Sequence, residues 1–366
     1  MSYPHQLTHV IRCMRYTEAM RSHIYIGVLC MLFFGIGTPF THAQSLLPIQ
    51  QRSDPSFVAL TPRYPAPGDE VVAKLNAHMI YAPSARIVWK QNGKVVQESV
   101  GGLEYRFTVE KIGQTIDLEV IVYEESGNIL RKTLKQTVGA VSIVWEGLTY
   151  TPPLYAGRAL HSPRSEVVLQ ALPVIANGAG GYMNTKNLVF NWHLYGETNP
   201  RFSGQGLDSI VAKAKTPYAP LEASVHIQNK QGETLAIGHV SVPVTHPYVR
   251  FYEEYPQFGV KYTHTLDAEY RLPSNKRTIY AEPYFISAPT RTDQSLTYAW
   301  RIGSQLLNSQ GNVTLEPSGS GSSASSLELT VSNGSVLEQR ARGALRVLFS
   351  GSSEGTANTD PETESF

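Results

Sequence analysis

Cysteine is almost absent: of 366 residues only Cys13 and Cys30 carry a thiol. A disulfide framework, a cysteine zinc site and a thiol nucleophile are therefore excluded from everything that follows. A surplus of either charge is missing as well. With 31 basic and 30 acidic side chains and a formal charge of +1, a nucleic acid held on a broad basic face is not expected. Aspartate is scarce and forms no DxDxDG loop, and the clusters of hard oxygen ligands that calcium-stiffened interdomain sites of the cadherin kind need are not visible. Beyond residue 43 no apolar run reaches the roughly 18 residues of a membrane-spanning helix. Helical 3.6-residue periodicity is nowhere sustained.

One apolar run does occur. Ile24 to Ile36 reads IYIGVLCMLFFGI, follows Arg21 and is succeeded by Gly37-Thr38-Pro39 and then Thr41-His42-Ala43. A basic residue, a short apolar core and, past a helix-breaking step, a small-residue cleavage site are the three parts of a secretory signal peptide. Residues 1–43 are read as that signal, cleaved after Ala43, with 44–55 as a linker. Translation from Met20 would give a leader of ordinary length. The expected location is extracytoplasmic, secreted or in the cell envelope, with membrane contact only through the signal segment if it stays uncleaved. At the other end, residues 351–366, GSSEGTANTDPETESF, hold four acids and no base. Burial cannot offset their ordering entropy, so the segment is read as a disordered acidic tail.

Between these ends, short runs of β-branched and aromatic residues are broken by Gly, Pro, Asn and Ser every 8 to 12 positions, the signature of an all-β chain. A recurrence of about 105 residues is superimposed. A strand ending in tryptophan precedes a turn three times: Ile87-Val88-Trp89 before Lys90-Gln91-Asn92-Gly93, Phe190-Asn191-Trp192 before His193-Leu194-Tyr195-Gly196, and Tyr298-Ala299-Trp300 before Arg301-Ile302-Gly303. A tryptophan projecting between two sheets fills the centre of an immunoglobulin-type sandwich of about 100 residues. Trp89, Trp192 and Trp300 are thus the expected cores of three tandem immunoglobulin-like β-sandwiches, at 56–141, 142–245 and 246–350.

The connections read as stiff and aromatic rather than Gly/Ser-rich. Trp145, Tyr150, Pro152, Pro153 and Tyr155 are assigned to the first interdomain junction and Tyr252 and Tyr255 to the second, and the three domains are expected to form a semi-rigid rod. On the Trp-centred repeats the chain resembles tandem bacterial Ig-like domain proteins. Thr149-Tyr150-Thr151-Pro152-Pro153-Leu154-Tyr155-Ala156-Gly157, Ala281-Glu282-Pro283-Tyr284-Phe285 and Leu296-Thr297-Tyr298-Ala299-Trp300 are similar to segments of uncharacterised exported Ig-like proteins of small-genome, uncultured (candidate phyla) bacteria. PKD-type modules follow their Trp with an acidic Gly-Asp-Gly turn, from which Lys90-Gln91-Asn92-Gly93 departs. The resemblance supplies no catalytic or ligand residue.

Chemistry is hard to find. Seven histidines follow the leader: His78, His161, His193, His226, His239, His246 and His264. None forms an HxH pair or a helical i, i+4 pair; His193 and His226 can meet across strands, though ordinary surface positions explain them. Asn177-Gly178-Ala179-Gly180-Gly181-Tyr182 lacks a following helix to hold phosphate. The serine-rich run 317–326 lacks a G-x-S-x-G elbow and is read as a loop between strands. No catalytic, cofactor-binding or metal residue is assigned. The expected function is a non-catalytic cell-envelope or surface protein that acts as an interaction or structural spacer module, with other envelope proteins as partners. The alternative is a glycan-binding adhesin using Gly178 to Tyr182 or the junction tyrosines.

Overall fold

The computed structural model describes residues 57–76, 83–317, 322–337 and 339–349. The signal, linker and tail assignments lie outside the described residues. Among the described residues the regular structure is strand but for two three-residue helical turns, and it is organised around three separate apolar cores.

The first sandwich comprises β1 (Val58–Thr61), β2 (Glu70–Leu75), β3 (Arg86–Gln91), β4 (Lys94–Val100), β5 (Glu104–Thr108), β6 (Thr115–Tyr123) and β7 (Ile129–Thr137). Its sheets run β1-β2-β5 and β4-β3-β6-β7. In the constant-type immunoglobulin arrangement the fourth strand joins the first sheet; here it stays beside the third. The reason is local. Asn92 and Gly93 both take positive φ, 51° and 76°, the two-residue hairpin that returns β4 onto β3 with Gln91 opposite Lys94.

The second sandwich repeats this plan with β8 (Ala140–Gly147), β9 (Glu166–Val174), β10 (Val189–Leu194), β11 (Glu197–Thr198), β12 (Gly204–Gln205), β13 (Ser209–Lys213), β14 (Leu221–Gln228) and β15 (Thr234–Val242). The sheets are β13-β9-β8 and β11-β10-β14-β15, with β12 on β10. Again the tryptophan strand ends in a tight hairpin, with Tyr195 and Gly196 at φ 54° and 80°.

The third contains β16 (Tyr248–Tyr255), β17 (Gly259–Val260), β18 (Glu269–Leu272), β19 (Arg277–Tyr284), β20 (Leu296–Ile302), β21 (Gln305–Leu307), β22 (Asn312–Leu315), β23 (Ser323–Asn333) and β24 (Arg340–Phe349). Here the two faces join into one nine-stranded sheet. β24 runs parallel to β16 at Tyr248 and to β18 from Glu269 to Leu272. Gly343 permits the approach, because a Cβ there would lie 2.9 Å from that of Val249.

Trp89, Trp192 and Trp300 are each fully buried, one per core. Burying an indole removes roughly 200 Å² from water, worth several kcal/mol at about 25 cal/mol per Å². Only Trp192 places its ring N–H on a described acceptor, the carbonyl of Leu207 at 2.9 Å.

Three positions differ from the sequence reading. The second sandwich begins with β8 at Ala140, two residues before the expected boundary at 142. Trp145 is no junction residue: it lies in β8, packs in the second core and carries the Arg158 guanidinium 3.7 Å from its ring centroid. Ser323 to Ser326 are strand rather than loop, since they pair with Phe349 to Arg346 across β23 and β24.

Candidate interaction surfaces at the second interdomain junction

The two aromatic segments that the sequence assigns to separate junctions meet at one. Gly147 ends β8 where a Cβ would sit 2.5 Å from the carbonyl oxygen of Leu160. A glycine there lets 148–161 fold back on itself, with Gly147 N–H donating to Ala159 O and the Thr149 hydroxyl to Leu160 O. The folded segment carries Tyr150 onto the third sandwich rather than the first. Tyr150 N–H donates to Ile286 O at 2.7 Å, and Phe285 N–H donates to Tyr150 O at 2.8 Å.

Its phenol continues inward. Tyr150 Oη donates to Glu282 Oε2 at 2.8 Å, and Tyr262 Oη donates to Glu282 Oε1 at 2.7 Å. Glu282 is fully buried, so the two phenols replace water for its two oxygens. Burial pushes its carboxyl above the ordinary range, opposed by the two tyrosine hydrogen bonds and the Arg291 charge. Burial first, and then the Glu282 carboxylate, hold both phenols well above the usual tyrosine range.

Around this lies an aromatic cluster. Tyr252 and Tyr284 hydroxyls are 2.6 Å apart, Tyr248 stacks on Tyr284 with centroids at 4.9 Å, and Tyr155 meets Tyr284 and Phe285 edge-on at 5.9 and 5.7 Å. A second polar contact is centred on buried Gln339. Its side-chain N–H group faces Ser162 Oγ, Pro163 O and Ser287 Oγ at 2.8 to 2.9 Å, while its Oε1 accepts from Ser287 N–H. Beside it His161 is fully buried, with Nδ1 2.8 Å from Ser165 Oγ, and burial lowers its basicity.

Tyr150, Pro152 and Tyr155 therefore belong to the segment facing the third sandwich, not to the first junction. Pro152 is buried and Pro153 exposed. Tyr252 lies within β16; Tyr255, also in β16, donates to Glu253 of its own sandwich. The sequence reading missed Glu282, Gln339, Ser162 and Ser287. An acid inside the apolar run Tyr280 to Ile286 is the one signal that pointed to Glu282.

Beside this contact an open cleft of about 610 Å³ is lined by Tyr218, His246, Pro247, Leu337, Arg340 and Arg342. Elsewhere the rings of His193 and His226 do come together, centroids 4.2 Å apart, on the outer face of β10 and β14. Burial lowers the basicity of both. Among the described residues no group of three or more His, Cys, Asp or Glu is placed to hold a metal ion, and no helix is long and apolar enough to cross a membrane.

No protein-family model and no curated protein sequence matches the chain. Its fold is similar to tandem immunoglobulin- and fibronectin-III-like arrays. Three N-terminal domains of the bacteriophage RB49 highly immunogenic outer capsid protein share 8% identity over 81% of this chain and 99% of theirs, with a TM-score of 0.23. Clostridium thermocellum CbhA fibronectin(III)-like modules share 12% over 51% of this chain and 94% of theirs (TM-score 0.22), and the central fibronectin-III array of RIM-binding protein 9% over 81% and 96% (TM-score 0.27). The assignment of tandem sandwiches rests on the sheets and cores described above.

Proposed function

We propose that this chain is an extracytoplasmic, non-catalytic interaction and spacer module of the cell envelope or surface, which holds neighbouring β-sandwiches at set angles and presents their surfaces to other envelope proteins. The observation that carries this reading is the Tyr150–Glu282–Tyr262 arrangement. A buried carboxylate satisfied by a phenol from the second sandwich and a phenol from the third is satisfied only when the two domains sit in one relation. A freely hinged pair would expose such a carboxylate to water and have no use for the partner phenol.

Export is supported by the signal-like segment ending at Ala43. Expression of the full-length gene with subcellular fractionation, followed by mass determination of the mature N-terminus, tests it: a chain starting at Gln44 outside the cytoplasm is expected, and an intact cytoplasmic chain would refute it. Small-angle scattering of the same material tests the spacer role, for which a narrow distribution of interdomain distances is expected. Glycan binding through the junction tyrosines is not favoured. Tyr150, Tyr252 and Tyr262 direct their hydroxyls to internal partners.

A further inference from the structure

We propose that the cleft between the second and third sandwiches binds a carboxylated sugar, with Arg340 and Arg342 taking the carboxylate and Tyr218 the apolar face of the ring. The inference rests on the reading of this chain as an interaction module and gives that module a ligand class.

Arg340 and Arg342 flank Ala341, which is fully buried, so both side chains leave β24 on the same outward face and both are exposed. Two positions along a strand separate them by about 7 Å, a span over which two guanidinium forks can hold one carboxylate and a neighbouring hydroxyl. Two other arginines of this sandwich are taken up by carboxylates, Arg277 by Glu253 and Arg346 by Glu269. Among the described residues no acid lines the cleft. The Arg250 guanidinium lies 5.2 Å from the Tyr248 ring, one strand away, and adds to the positive field.

The rest of the lining is aromatic and apolar. Tyr218, on the loop between β13 and β14, is 60% exposed and its ring centroid lies 6.0 Å from that of His246. Leu337, 72% exposed, forms an apolar lip. A saturated sugar ring offers a C–H face to such a wall and polar groups at its rim. An inorganic anion would use only the arginines, and a neutral sugar only the aromatic wall.

An acidic peptide is the other class with carboxylates to offer, and the topology disfavours it. Extended peptides commonly bind by adding a strand to a free sheet edge. β24 has none here, because Arg340 and Arg342 pair with Ser332 and Thr330 of β23, and Arg342 also pairs with Tyr248 of β16. Recognition at this place has to run through side chains.

The test is calorimetric titration of the full chain with a trigalacturonate, beside neutral galactotriose, sodium sulfate and a hexaglutamate peptide. The acidic trisaccharide is expected to bind at least about tenfold more tightly than any of the other three, as befits a charge-assisted pair of hydrogen bonds. The Arg340→Gln/Arg342→Gln double variant should weaken it by about tenfold or more, and Tyr218→Ala by roughly threefold. All three side chains are exposed, and unchanged exchange of the Tyr150 and Phe285 amides would show that each variant keeps the junction. Equal binding of neutral and acidic sugar, sulfate or peptide binding as tight as the trisaccharide, or unaltered affinity in either variant would each overturn the proposal. None of those outcomes touches the spacer reading, which the scattering experiment decides separately.

Discussion

The first and second sandwiches are joined by a two-residue connection with close steric approaches, the second and third by a longer connection with directional polar contacts between residues distant in sequence. Two residues, Val138 and Gly139, separate β7 from β8. Val138 is buried in the first core, and Val141, three positions on, packs against the second. Glycines let the domains approach: a Cβ on Gly113 would lie 3.0 Å from that of Ala176, and one on Gly139 2.6 Å from the Ile175 side chain. At the second junction five residues, 243–247, connect β15 to β16, and the restraint comes instead from the 148–161 segment clasping the third sandwich. A very short connection limits angles by sterics; a longer one needs directional polar contacts to reach the same end.

If that is right, Glu282→Ala should break the second junction and leave the first intact. It would bury two phenols without an acceptor and open a void, at a cost of about 2–4 kcal/mol. Hydrogen exchange reads the two junctions separately. The cross-domain amides of Tyr150 and Phe285 should exchange at least about tenfold faster, while the Gly113 amide, bonded to Val138 O at 2.9 Å, should not change. Equal acceleration at Gly113 would show that the two junctions are coupled.

A pair of glycine variants sharpens the contrast. In Gly147→Ala the new Cβ meets backbone, 2.5 Å from Leu160 O and 2.9 Å from His161 N, so the 148–161 segment has to shift, costing about 2–3 kcal/mol. In Gly139→Ala the closest atom is the end of the Ile175 side chain, with Leu235 O at 3.0 Å; rotation relieves most of it, and about 1 kcal/mol is expected. Thermal unfolding of both variants checks the order. A larger loss at Gly139 would mean that the direct connection is the tighter joint.

Much of this was legible in the sequence, and the limit has a physical origin. Trp89, Trp192 and Trp300 could be placed because strand periodicity reports which face a residue occupies, and the turns after them because Asn92-Gly93 and Tyr195-Gly196 accept positive φ. The same periodicity puts Tyr280, Glu282 and Tyr284 on the outer face of β19. It does not say whether that face meets water or another domain. The partner that covers Glu282 is Tyr150, 132 positions away, and no local pattern encodes a pairing of that range. Trp145 shows the converse: its surroundings in the sequence read as a junction, yet β8 makes it the first-strand tryptophan of the second core.

Tyr150→Phe asks less of the fold than Glu282→Ala. It keeps the ring and both backbone bonds to the third sandwich, and removes one hydrogen bond to the carboxylate, worth about 1 kcal/mol. Tyr262→Phe removes the matching bond from within the third sandwich. The first should speed exchange at Tyr150 and Phe285; the second should lower the unfolding temperature of the third domain with a smaller effect on those amides. Identical patterns would mean that junction and domain open as one unit.

The smallest effect is a pH dependence in which two buried groups of the second junction oppose each other. Glu282 is shifted up by burial, so the folded state holds its proton more tightly than the unfolded chain. Its contribution is fullest below the ordinary carboxyl value of about 4.5 and is lost as pH rises from there through the folded value. His161 is shifted down by burial. The folded state binds that proton less readily, so its contribution is complete above about 6.5 and is lost as pH falls through the folded value. Acidification from pH 7 therefore weakens the junction through His161 while Glu282 partly restores it. Glu282→Gln removes the second slope and keeps the first, so the variant should lose stability on acidification more steeply than the native chain. Exchange rates of the Tyr150 and Phe285 amides at pH 7, 5.5 and 4.5, corrected for intrinsic exchange, measure the difference. Parallel profiles would show that Glu282 titrates alike in the folded and unfolded chain, and with that the phenol pair would lose its role as a substitute for water.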